Sequence, residues 1–94
     1  MRKITREIVA AFMMRETKRI GNSYTDGTTL YLHDNAIAKF DKDGRLWITN
    51  AGWKSNTTKE RLNGLPGVSI HQRNYTWHLN DEPWNGDWVR INRW

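Results

Sequence analysis

From Gly21 onward the chain stops repeating every third or fourth residue and begins to alternate, with tight-turn residues between the alternating runs. No other feature constrains the fold as much. Apolar residues at every second position line one face of a strand, and Asp-Gly or Asp-Asn pairs accept the positive φ angles of tight turns. Residues 20–25 read as a first strand, followed by the hairpin signal Asp26-Gly27. Residues 28–33 read as the next, with Leu30 and Leu32 on one face and Thr29 and Tyr31 on the other. Asp34-Asn35 turns the chain into a strand over 36–40. Asp41-Lys42-Asp43-Gly44 turns it again into 45–50, where Leu46 and Ile48 oppose Trp47 and Thr49. Short alternating runs joined by tight turns predict an antiparallel meander.

A helix precedes the meander. Ile4, Ile8, Ala11 and Phe12 fall on one side at helical spacing, and Val9 and Met13 widen the stripe. The spacing predicts a helix over 6–17, capped by Thr5, with its apolar face on the sheet. After the meander, Thr57 and Glu60 stand at the spacing of a capping box. The short helix they predict is ended by Gly64 and Pro66-Gly67. Residues 68–72 and 75–80 then form a hairpin around Arg73-Asn74. Pairing Gln72 with Trp77 places Val68, Ile70, Trp77 and Leu79 on one face and Ser69, His71, Thr76 and His78 on the other. A last strand follows over 87–93. The fold class is therefore α+β: an N-terminal helix packed on a mainly antiparallel sheet, with a four-strand meander, a short helix, and a hairpin plus final strand. Ninety-four residues make a single domain, 1–94.

A core this small depends on its aromatics. Trp77 belongs to it by register. Six Trp do not all fit, so one or two must be exposed. Trp53 sits in a loop between Gly52 and Lys54. Trp84, Trp88 and Trp94 crowd the end of the chain beside Arg90 and Arg93.

Catalytic chemistry is hard to find. With no cysteine there is no disulfide, thiolate nucleophile or Cys-ligated zinc. No serine stands in a Gly-x-Ser-x-Gly elbow, and Gly64-Leu65-Pro66-Gly67 lacks the Lys-Ser/Thr pair of a phosphate loop. Asp81-Glu82 reads as a pair of solvated turn residues. Asp41 to Gly44 imitates part of a calcium loop, but the matching register puts Lys39 at the first ligand position and Asn50 at the last. It reads as a hairpin turn. His71 and His78 face each other across the hairpin, about 5 Å apart at Cβ. Two imidazoles without a third ligand do not make a functional metal site. The expectation is a non-enzyme with no cofactor and no metal.

No apolar run reaches the roughly 18 residues that span a bilayer. The basic segment 1–7 is followed by a short apolar run that ends in Arg15-Glu16 without a cleavage pattern. A cytoplasmic protein with no membrane partner is expected. The net charge is +5, of which the first twenty residues carry +4. Arg2, Lys3, Arg6, Arg15, Lys18 and Arg19 are the candidate nucleic-acid contacts, with exposed Trp stacking on bases.

The residues Gly52-Trp53, Asn56-Thr57-Thr58-Lys59-Glu60-Arg61-Leu62-Asn63, Gln72, Trp77-His78-Leu79-Asn80 and Trp84-Asn85-Gly86 form a distinctive set. With Leu32-His33-Asp34-Asn35-Ala36-Ile37-Ala38 upstream, the set resembles a family of small tailed-bacteriophage proteins of no assigned activity. The resemblance covers roughly residues 20–90 and departs from the family pattern at His78 and at Asn80-Asp81. It implies a phage accessory protein acting in the cytoplasm of an infected bacterium. It further implies a binding protein that blocks a host protein or defence complex, such as a CRISPR effector. Trp53, Lys54, Lys59 and Arg61 form one candidate partner-binding face, with Trp84 and Trp88 as a second anchor. The alternative is a nucleic-acid-binding accessory protein using the basic N-terminal helix. A third reading is a virion or homo-oligomeric part, in which the edge strand over 87–93 pairs between copies.

Overall fold

Alternation in the sequence becomes alternation in burial. Leu30 and Leu32 are buried, while Thr29 and Tyr31 between them are half-exposed. The computed structural model describes residues 2–92. Helix α1 (Lys3–Met13) leads into strands β1 (Thr17–Ile20), β2 (Ser23–Asp26), β3 (Thr29–Leu32), β4 (Asn35–Phe40) and β5 (Leu46–Ile48). Helix α2 (Asn56–Leu62) follows, then β6 (Ile70–Arg73), β7 (Thr76–Leu79), β8 (Glu82–Pro83) and β9 (Val89–Arg90). One antiparallel sheet runs in the order β1-β2-β3-β4-β5-β9, and a second runs β6-β7-β8. The α+β class stands.

One hydrophobic cluster joins every layer. Ile8 and Phe12 of α1, Leu30, Leu46 and Ile48 of the large sheet, Leu62 of α2 and Trp77 of the small sheet all meet in it. Trp77 is 1% exposed, as its register requires. Gln72 pairs with Trp77 and His71 with His78, the expected register. The tight turn itself falls at Asn74 and Tyr75, both at positive φ.

Several sequence expectations need correction. The first concerns α1, which starts at Lys3 with Arg2 at its N-cap position and no side-chain cap bond. Thr5 lies inside the helix, fully buried, because its hydroxyl has partners on α2. The helix also ends at Met13, not at 17. Arg15 takes a left-handed conformation (φ 62°), and the Glu16 N–H closes the helix end on Ala11 O at 2.9 Å. Cation–aromatic stacking holds Arg15 there, its Cζ being 3.3 Å from the centre of the Phe40 ring. The second concerns the strand expected over 20–25, which is in fact the hairpin β1–β2, turned at Gly21 and Asn22. The third concerns α2. Its cap is Ser55, whose Oγ accepts the Thr58 N–H at 3.1 Å. Thr57 caps nothing, and Glu60 is drawn away from the helix start to Thr5 and Arg61.

The last strand is shorter than expected. It pairs through Trp47↔Arg90 and Ile48↔Val89. Arg93 and Trp94 lie outside the described residues.

Candidate interaction site

Between β5 and α2 the chain is shaped by Asn50, which is buried. Its backbone N–H donates to Gly86 O at 3.0 Å, and its carbonyl accepts the Trp53 N–H at 2.8 Å. Its side-chain Oδ1 accepts the Gly52 N–H at 2.8 Å. Gly86 approaches so closely that a Cβ there would lie 2.1 Å from Asn50 Nδ2. Ala51 and Gly52 both take positive φ angles, and the loop reverses sharply. Trp53 is thereby held outward, 60% exposed.

Trp53 is part of the lining of a cavity of about 470 Å³. Leu32 and Ile37 from the meander supply apolar surface. His33, Ser55, Thr57 and Thr58 complete the lining. The Ser55 and Thr58 hydroxyls are 3.0 Å apart and engaged with the cap of α2. The cavity is therefore mainly an apolar receptor with few free polar groups. Its size falls within the range of ligand pockets, about 300–1,000 Å³.

Lys54 faces a different depression, shared with Thr76, Pro83, Trp84 and Asn85. Trp53 and Lys54 are thus neighbours in sequence that border two separate hollows. Lys59 is half-buried on α2.

The structure moves Arg61 and Trp84 off the expected binding faces. Arg61 is 2% exposed. Its Nε donates to Ser23 Oγ at 3.0 Å and its Nη1 to Thr5 Oγ1 at 2.7 Å. The same Nη1 lies 3.3 Å from Glu60 Oε1. Burial pulls the guanidinium pKa down from its ordinary value, and Glu60 opposes that shift. Trp84 is also buried. Its Nε1 donates to Asp87 O at 3.0 Å, and its ring lies 6.2 Å from that of Trp77. Trp88 remains accessible, 39% exposed, with the Lys39 ammonium 4.4 Å above its ring.

The N-terminal cations do not share one helix face. Arg2, Lys3 and Arg6 are exposed at the start of α1. Arg15 is stacked on Phe40, and Lys18 and Arg19 belong to β1. Two binding features were missed in the sequence. One is the Asn50–Gly86 frame, because it joins residues far apart in the chain. The other is the apolar part of the cavity lining, because alternation marks Leu32 only as core and the strand over 36–40 gives Ile37 no assigned face.

Among the described residues no three His, Cys, Asp or Glu side chains gather as metal ligands. The His71 and His78 rings stack with centroids 5.5 Å apart and planes 7° apart. Among the described residues no helix is long and apolar enough to cross a membrane.

A family model described as Kyanoviridae Gp96 protein matches residues 1–93, so the chain belongs to that family of phage proteins. The match extends beyond the segment over which the phage resemblance was legible. No curated protein and no solved structure gives a significant match.

Proposed function

We propose that this member of the Kyanoviridae Gp96 family is a non-enzymatic binding protein that docks on a bacterial host protein and inhibits it or a defence complex containing it. One observation carries the reading: Trp53, 60% exposed, lines a cavity together with the apolar Leu32 and Ile37. Large aromatics are enriched among the residues that dominate protein interfaces, and they act beside pockets that fill on binding. Here a partner side chain enters the cavity and Trp53 packs over it. Lys54, one residue on, favours an acidic rim on the partner. The host setting rests on family membership, since a phage protein meets its partners in an infected cell.

The test begins with tagged protein in nuclease-treated host lysate. A captured protein is then purified and titrated against wild type and Trp53→Ala. We expect saturable binding that shifts Trp emission. The variant loses about 2 kcal/mol or more of affinity, which is roughly 30-fold. Its thermal midpoint stays where it was, because Trp53 is outside the core. If no captured protein rebinds in pure form, or if Trp53→Ala binds as wild type does, the reading fails.

A further inference from the structure

The six-stranded sheet turns one face to the core and the other to solvent. Successive side chains on a strand point to opposite faces. Ser23 and Thr25 point inward with Leu30, Leu32, Leu46 and Ile48. Tyr24, Tyr31 and Trp47 therefore point outward, and all three are half-exposed.

Two cross-strand rows run over this outward face. In the first, Arg19 pairs with Tyr24 and Tyr24 with Tyr31. The Arg19 guanidinium lies 4.7 Å from the centre of the Tyr24 ring, and the two Tyr rings are 5.7 Å apart. In the second, Lys39 pairs with Trp47 and Trp47 with Arg90. Trp88 stands two residues before Arg90, under the Lys39 ammonium. Each row places cations beside aromatic rings.

The carboxylates on the same face are occupied. Asp26 Oδ1 accepts the Thr28 and Thr29 N–H groups at 2.9 and 2.8 Å. Asp41 Oδ1 accepts the Asp43 and Arg45 N–H groups, and its Oδ2 accepts Trp47 Nε1–H at 2.9 Å. Both cap hairpin turns, and among the described residues neither forms an ion pair with Arg19, Lys39 or Arg90.

We propose that this face binds single-stranded nucleic acid. Bases stack on Tyr24, Tyr31 and Trp88, and phosphates meet Arg19, Lys39 and Arg90. An acidic protein would meet the cations and pack on the rings, but only a single nucleic-acid strand presents a flat base and a charge in alternation at every step, as these rows do. Unpaired bases use both, since every base has a face to stack and every nucleotide carries a charge. Sheet faces bearing aromatics bind splayed bases in this manner. No paired residue of either row is Asn or Gln, and Asn92 beside the second row has its Oδ1 taken by Arg90 Nε at 3.1 Å, so binding is tolerant of sequence. The surface is separate from the Trp53 cavity and does not depend on it.

The experiment uses full-length protein and a fluorescein-labelled oligothymidylate of about twelve nucleotides, within the usual footprint of a single-strand-binding domain. Anisotropy is followed at about 50 and 200 mM salt. We expect saturable binding that weakens at the higher salt, with quenching of Trp emission. Tyr31→Ala and Lys39→Ala each weaken it roughly fivefold or more, and Trp53→Ala leaves it unchanged. A duplex of the same length binds more weakly. Circular dichroism checks each fold. Arg19→Ala and Arg90→Ala, at exposed positions, carry the same expectation if Tyr31→Ala does not fold. No anisotropy change at low salt overturns the proposal, as does wild-type binding by the folded face variants. Equal affinity for poly-glutamate also overturns it, in favour of an acidic protein surface.

Discussion

Arg61 of α2 donates from Nη1 to Oγ1 of Thr5 in α1, across 2.7 Å. The two residues are 56 positions apart in the chain, and both are buried. The same side chain reaches Ser23 of β2 through Nε, so one guanidinium joins both helices to the large sheet. Arginine suits this role because its planar fork presents several donors at fixed angles.

Arg61→Ala leaves the hydroxyls of Thr5 and Ser23 without their arginine donor in a buried site. Unsatisfied buried polar groups and the lost packing together cost about 2–4 kcal/mol. Urea unfolding should show a lower midpoint with an unchanged slope. Arg61→Lys keeps the charge but cannot reach both hydroxyls at once, so it should recover only part of the loss.

Gly86 and Asn50 form a second long-range contact. Gly86 has a φ of 92° and faces the Asn50 amide with no room for a Cβ. Gly86→Ala should destabilise by about 2 kcal/mol or more, from backbone strain and overlap together. Shortening Asn50 to Ala in the same chain relieves only the overlap. The double variant should therefore lose less than the sum of the single losses, measured by denaturant titration. Additive losses would show that the two positions do not clash.

The meander was legible because β2, β3 and β5 alternate and every turn carries Asp, Asn or Gly; β4 departs from the pattern, burying Ile37 and Ala38 in succession where the β3–β4 register shifts. The β6–β7 register was legible because only one pairing buries Val68, Ile70, Trp77 and Leu79 together. Strand β1 was not legible. It is an edge strand carrying Thr17, Lys18 and Arg19, all exposed, so it has no apolar alternation to read. Cations on an edge also discourage pairing with another sheet. The end of α1 was hidden for a related reason: Arg15 takes a left-handed conformation usually marked by glycine. At the candidate site, Trp53 was legible from its place after Gly52, but the burial of Arg61 was not. Its partners come from α1 and β2, and nothing local to 56–62 points to them.

Asp26 and Asp41 make a pH prediction. The Thr28 N–H is the largest cause lowering the Asp26 pKa, and the Trp47 indole N–H is the largest for Asp41. Both therefore lie below the ordinary carboxylate value when folded. A lowered folded pKa means that the unfolded chain binds protons first as pH falls. The stability from these caps is complete at neutral pH, declines below about pH 4 and is lost beneath the folded values. Carbon-detected NMR titration should place both carboxyls below the ordinary aspartate value. Asp41→Asn should flatten the acid limb of the stability curve.

Tyr75 yields a prediction of the opposite sign. It sits at the tip of the β6–β7 hairpin, 89% exposed, at a φ of 68°. Asn74 before it has a φ of 52°, so both central turn residues are left-handed. Asn tolerates that conformation, whereas a bulky aromatic is strained in it. Asn-Gly is the preferred pair for such a turn. Tyr75→Gly should therefore raise stability by about 0.5–1 kcal/mol, even though glycine makes the unfolded chain more flexible. Tyr75→Ala separates the two contributions. Alanine keeps a Cβ and the strain but discards the ring, so it should leave stability near wild type. Thermal melts of the three proteins decide the matter. If Gly and Ala shift the midpoint equally, the gain comes from losing the ring and the turn carries no strain.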